Sequence, residues 1–296
     1  MLDDLPQTLR LGGRWLLLGA WLATALPVMA AERALVGGDP NYPPFHYLDE
    51  DGQAAGRDVQ LVRAIARDQD LQVEFSLVEW GRTLSLLERG SVDMVPMFIT
   101  EDRARRFDFS QPFARRHHQV FGRRKAGRID GVEDLAGRRV AVQFAGMAWE
   151  WLSNQNAGVD IQPINIEDSA VLAVVRGEAD FALVPSDIGE RAIAVHGLED
   201  IVALSPPMLE RDYAFGVSRG RPALREKINA GIDNLRASGE LDRIMTEDIP
   251  ARVPTERHQR PIPFSGRSSV SWWIAGLILL GLLFWLGLRW SRTPPE

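Results

Sequence analysis

Ala34-Leu35-Val36-Gly37-Gly38-Asp39-Pro40-Asn41-Tyr42-Pro43-Pro44-Phe45 opens on an apolar strand, Ala34 to Val36, and runs straight into a stiff loop. Asp39-Pro40-Asn41 has the chemistry of a turn, and Pro43 and Pro44 fix φ just beyond it. A rigid loop at the C-terminal end of a strand is where α/β folds place ligands. Tyr42 would offer such a ligand a flat apolar face with a polar tip. On local grounds the same residues read equally well as a turn whose aromatics cap a core.

The periodicity around this stretch points the same way. Val59, Val62, Ile65 and Ala66 recur at helical spacing after Gly56, and Val73, Phe75 and Leu77 alternate as a half-buried strand does. Arg139 to Gln143 reads as a strand entering a loop at Ala145-Gly146. Ser169 to Val175 reads as a helix ended by Gly177, and Phe181 to Val184 as the next strand. Ile228, Ile232 and Leu235 follow helical spacing, and Gly239 breaks that helix before Leu241 to Met245. Strands alternating with helices predict an α/β fold with mostly parallel sheets.

Two apolar segments flank this region. Trp15 to Val28 follows Arg10 and Arg14 and ends in Val28-Met29-Ala30-Ala31, the pattern of a signal peptide occupying residues 1–30. Ser268 to Leu288 carries no charge and is long enough as a helix to cross a hydrocarbon core of about 30 Å. Trp272, Trp273, Trp285 and Trp290 mark its two ends, as expected at membrane interfaces. The expectation is a transmembrane helix over residues 268–290 and a cytoplasmic tail over 291–296. Residues 250–267, with Pro250, Pro254, Pro261 and Pro263, read as a stiff linker. The chain is therefore expected to be a single-pass inner-membrane protein with its main domain, residues 31–249, in the periplasm.

Composition removes several classes. A formal net charge of -6 argues against a nucleic-acid partner. The absence of cysteine excludes a disulfide framework and a thiolate metal site. His117 and His118 would point to opposite faces of a strand, a poor arrangement for a shared metal. No phosphate loop or nucleophile elbow is present, and neither a cofactor nor a metal is expected.

Two further constellations stand out, the first of them just past a strand. Val78-Glu79-Trp80-Gly81 places Trp80 either as a second cleft wall or as packing for a helix start. Ile99-Thr100-Glu101-Asp102-Arg103 offers an arginine, and an arginine held in a cleft binds a carboxylate through parallel charge-assisted hydrogen bonds. By spacing alone the better reading is a solvated Arg103 in a charged run with Arg105 and Arg106, since surface charge is common.

Taken in order, these pieces resemble the family 3 extracellular solute-binding proteins, the periplasmic amino-acid-binding proteins and the sensor domains built from them. The resemblance runs from about Leu35 to Ile249. It includes Asp39-x-x-Tyr42-x-Pro44-Phe45, Gly56-Arg57-Asp58, Leu87-x-x-Gly90-x-x-Asp93, Thr100-x-x-Arg103, Phe109-Ser110-x-Pro112, Glu133-Asp134-Leu135-x-Gly137 and Gly177-x-x-Asp180. Pro96-Met97-Phe98 and Ala214-Phe215-Gly216-Val217 look most like tethered sensors. The resemblance implies a two-lobed periplasmic binding protein type 2 fold, a Venus-flytrap clamp. Lobe one would span about 35–117 and 214–249 and lobe two about 122–210. The hinge would lie near Gln119-Val120-Phe121 and Asp212-Tyr213-Ala214.

It also implies a site. Asp39, Tyr42, Trp80 and Arg103 match ligand-binding positions of amino-acid-binding relatives, with Arg103 on the ligand carboxylate and Tyr42 and Trp80 flanking its side chain. Phe98, Thr100, Gly146, Met147, Ser186 and Asp187 complete the expected site. Departures are visible: Pro96 and Phe98 replace small hydroxyl residues, and Ala145-Gly146-Met147 replaces a Gly-Ser/Thr-Thr loop. Pro185 replaces the aspartate that holds an ammonium group, with Ser186 and Asp187 just after it. The expected ligand is therefore a small organic carboxylate with an apolar or aromatic body, suited by Phe98 and Met147. A separate membrane signalling or transporter protein is a candidate partner. Two alternatives remain open. One is a periplasmic dehydratase of aromatic amino-acid precursors, with Glu101, Asp102 or Asp187 as acid. The other is a partner-binding receptor that has lost tight ligand binding.

Overall fold

The computed structural model describes residues 32–247. The expected signal peptide, proline-rich linker, transmembrane helix and tail lie outside them. Among the described residues no helix is long and apolar enough to cross a membrane.

The first half begins with β1 (Glu32–Gly38), then a small antiparallel sheet of β2 (Asn41–Tyr42), β3 (His46–Leu48) and β4 (Ala54–Ala55). Helix α1 (Arg57–Asp68), β5 (Leu71–Leu77), α2 (Trp80–Glu88), β6 (Met94–Phe98), α3 (Glu101–Arg106) and β7 (Asp108–Phe109) come next. Strand β8 (Ala114–Arg123) leads into the second half: β9 (Arg139–Gln143), α4 (Met147–Asn154), β10 (Asp160–Ile164), α5 (Ser169–Arg176), β11 (Phe181–Pro185), α6 (Ser186–His196) and β12 (Ile201–Ala203). Strand β13 (Met208–Val217) returns to the first half, which α7 (Pro222–Ser238) and α8 (Glu240–Thr246) complete.

The main hydrogen-bonded path runs β10-β9-β11-β8-β13-β6-β1-β5. Pairing is parallel at both ends, β1 with β5 and β6, and β9 with β10 and β11. It is antiparallel in the middle, where β8 and β13 pass between the halves. Strands β6 and β11 are buried along their whole length, as strands covered on both faces must be. Each half has apolar clusters on both faces of its sheet, Ile65, Phe215 and Ile232 against Leu84, Leu87 and Met97 in the first, and Ala170, Val171 and Ala182 against Val140, Leu152 and Leu183 in the second. This is the α/β two-lobed architecture expected from the sequence.

Strand β8 pairs with β13 through Ala114 to Arg116 opposite Arg211 to Tyr213, and again at His118 opposite Met208. A bulge separates the two contacts, and Leu209 there has φ 53°. Of the residues named for the hinge, Gln119 to Phe121 pair with β11, while Tyr213 and Ala214 pair with β6.

Local chemistry explains where elements stop. Gly177 and Gly239 end α5 and α7 in the left-handed region, φ 74° and 76°. Gly56 has φ 109°, and a Cβ there would lie 2.3 Å from the Phe45 carbonyl oxygen, so the end of the Asp39-to-Phe45 loop packs against backbone that only glycine permits.

Candidate functional site

The halves meet over a partly open cavity of about 30 Å3. Of the expected site residues, Asp39, Tyr42, Trp80, Phe98, Arg103, Gly146 and Met147 line it, joined by His46, His118, Gln143, Glu167 and Tyr213. Thr100, Ser186 and Asp187 do not. Thr100 caps α3, its Oγ1 accepting from the Arg103 N–H at 3.2 Å. Ser186 Oγ donates to the His117 carbonyl. Asp187 is exposed, because Pro185 ends β11 and the helix beginning at Ser186 turns its second residue outward.

Arg103 is 1% exposed. Its Nε and one terminal nitrogen both lie 3.0 Å from Oε1 of Glu150, which comes from α4 in the opposite half. Longer bonds run to the carbonyls of Phe98 (3.4 Å) and Ala145 (3.3 Å), and the guanidinium stacks 5.4 Å from the Trp80 ring. Trp80 is both of the things its sequence allowed. It starts α2, whose N-cap Glu79 accepts from Gly81 N and Arg82 N, and it forms a cleft wall. Its Nε1–H crosses the cleft to the Ala145 carbonyl at 2.8 Å. Ala145 adopts φ 58°, a region that costs a residue with a Cβ free energy and that clusters at functional sites.

The other end of the cavity is built from acceptors. Asp39 Oδ2 receives Gln143 Nε2 across the cleft at 2.7 Å, and Asp39 Oδ1 accepts from Asn41 N. Burial pushes the Asp39 carboxyl up to about 6 despite these bonds. Glu167, 5% exposed, is raised to about 8, first by burial and then by the charges of Asp39 and Asp168. His46 donates from Nδ1 to Asp58 Oδ2 at 2.9 Å, since a carboxylate only accepts, and its buried Nε2 has no partner among the described residues. Asp58 also accepts from the Tyr213 hydroxyl at 3.1 Å. Arg116, 3.4 Å from the Phe45 ring centroid and 4.4 Å from that of Tyr213, closes this buried layer beneath the cavity.

Phe98 supplies an apolar wall, 5.0 Å from the His118 ring. Burial holds His118 down at about 3, so the ring is neutral, and its Nδ1 is buried without a partner among the described residues. His118 is thus a core histidine at the cavity wall.

Sequence reasoning missed His46, Gln143, Glu150 and Glu167. One signal was available: Glu150 lies three residues after Met147 and so on the same helix face. Nothing local marked Glu167.

The comparisons agree with this geometry. Residues 35–247 match the model for bacterial extracellular solute-binding proteins, family 3. An amino-acid-binding protein of Dichelobacter nodosus is 30% identical, covering 72% of this chain and 87% of its own. An L-arginine-binding protein of Pseudomonas aeruginosa is 27% identical, covering 74% and 89%. A solved histidine kinase sensor domain with similarity to periplasmic binding proteins superposes with a TM-score of 0.70 at 32% identity, covering 73% of this chain and 95% of its own. With an interlobe cavity and a family match that spans nearly all the described residues, the chain belongs to the bacterial extracellular solute-binding proteins, family 3.

Proposed function

We propose that this chain is a membrane-tethered periplasmic receptor that closes its two lobes around a small carboxylate-bearing metabolite of amino-acid type. The observation that carries the reading is the buried Arg103 guanidinium, set across the cleft on a carboxylate. A ligand carboxylate takes that place, Tyr42, Phe98 and Met147 surround an apolar body, and the acceptors Asp39 and Glu167 receive an ammonium group. The ammonium falls to this pair rather than to Asp187, which is exposed. Similarity to relatives named for amino-acid binding supports the ligand class, and similarity to a histidine kinase sensor domain supports a sensing role. Tethering rests on the uncharged segment Ser268 to Leu288.

The test is a thermal-shift and calorimetric screen of the full chain against the L-amino acids, with agmatine and histamine as counterparts lacking the carboxylate. At least one amino acid stabilises the protein, its decarboxylated counterpart does not, and Arg103→Met abolishes the effect. Equal binding of the amine, or binding untouched by Arg103→Met, refutes the reading. The chain also stays with membranes after alkaline extraction; release into the supernatant removes the tether.

The 30 Å3 cavity favours a second reading. It is far below the roughly 300 Å3 of small-molecule pockets. A receptor that acts through a partner without tight ligand binding fits such a cleft, and a screen without hits would favour it.

A further inference from the structure

The closed cleft is already neutralised, and the neutralising group belongs to the chain. Glu150 presents one oxygen, Oε1, to two nitrogens of Arg103, while Oε2 stands 3.5 Å from Thr100 Oγ1. That arrangement is weaker than two parallel bonds to two oxygens, which a guanidinium fork favours. Arg103 is part of the lining of the cavity of about 30 Å3, and Glu150 is not. Outside are open grooves of about 870 Å3 and 550 Å3, both lined by Glu150. The Glu150 side chain keeps 16% of its surface exposed, so it has a route into those grooves.

We infer that Glu150 is a tethered carboxylate that occupies the ligand's place on Arg103, latches the lobes closed in the absence of solute, and selects for ligands able to displace it. The inference rests on the proposed role of Arg103 as carboxylate subsite. Entry exchanges one carboxylate for another on a single guanidinium, so the buried arginine is never left without a counter-charge, the costly state for a buried ion. A ligand that bonds with both oxygens and also engages Asp39 and Glu167 outcompetes Glu150. A simple monocarboxylate offers nothing beyond what Glu150 already supplies. Swinging Glu150 outward joins the small cavity to the grooves and makes the room an amino acid needs.

The chain contains no cysteine, so a pair introduced at exposed positions in the two lobes, R89C and S153C, labels uniquely. In the full chain without added solute, pulsed electron spin resonance gives a short distance for the parent. Glu150→Gln and Glu150→Ala move the population to longer distances, with circular dichroism unchanged. Glu150→Gln also binds L-arginine about tenfold more tightly, the factor being set by the fraction of molecules whose Arg103 is free. A distance distribution unmoved in both variants overturns the latch, as does weaker L-arginine binding by Glu150→Gln. An opened Glu150→Gln cleft, with no amino acid bound by either the parent or the variant, upholds the latch and sinks the ligand reading. An unmoved cleft that still binds through Arg103 does the reverse.

Discussion

The two ends of the cleft handle buried charge in opposite ways. At one end Arg103 meets Glu150, and each lobe supplies one sign. At the other, the buried carboxyls of Asp39 and Glu167 lie near each other, and Asp39 accepts from the Gln143 amide. The first end is settled within the chain by pairing. The second is a pair of carboxyls that burial drives upward, Asp39 to about 6 and Glu167 to about 8, so that Glu167 holds a proton at neutral pH. A paired end can be exchanged for a ligand of the same charge, whereas a protonated end releases its protons when a cation arrives. Binding of an ammonium-bearing ligand is therefore coupled to pH at one end only.

The comparison breaks most visibly at the paired end. Arg103→Met deprives Glu150 of its counter-charge and costs about 2–4 kcal/mol, towards the lower side because Glu150 keeps some exposure. Urea unfolding measures the loss, and Arg103→Met/Glu150→Met recovers more than half of it. A double variant no more stable than the single one would show that the pair is not coupled.

A smaller effect, with a pH signature, is expected at the acceptor end. The folded-state value for Glu167 is about 8 against an ordinary value of 4.5. Between those limits the folded chain holds a proton that the unfolded chain releases, so Glu167 lowers stability as pH rises from 4.5 to 8. Glu167→Gln removes that slope: the variant matches the parent near pH 4.5 and melts several degrees higher at pH 8. His118, held down at about 3, acts in the opposite sense between 3 and 6.5. Its contribution is common to both proteins and cancels in the difference. A difference in melting temperature that is flat with pH would remove Glu167 as the titrating group.

The smallest effect belongs to the rim. Trp80→Phe keeps the ring against Arg103 and deletes the Nε1–H bond to Ala145. About 1 kcal/mol or less is lost, since that carbonyl still accepts from Arg103. A loss as large as that of Arg103→Met would place the latch in the indole rather than in the ion pair.

The fold was legible because its signals are local. The alternation at Val73, Phe75 and Leu77, the helical spacing from Val59 to Ala66, and Gly177 and Gly239 as stops all describe residues close in sequence, and β5, α1, α5 and α7 follow them. The site was legible where a motif carried it, as at Asp39, Tyr42, Trp80 and Arg103. It was not legible where it depends on docking one half against the other. Glu150 meets Arg103 across 47 positions, and Gln143 meets Asp39 across 104. Asp187 shows the same limit in reverse, since a single helical step past Pro185 turns a suitable carboxylate to solvent.

The path of the chain has a mechanical consequence. Residues 32 and 247 both belong to the half built on β1, where Glu32 pairs with Arg221 and Lys227 and the Glu247 carbonyl accepts from Arg57. The other half is an excursion between β8 and β13, with no end of the described domain attached to it. It is the free jaw of a vice whose fixed jaw carries both mountings. Tension along the flanking chain therefore cannot report closure, because both mountings move with one rigid body. A surface that touches the free jaw can.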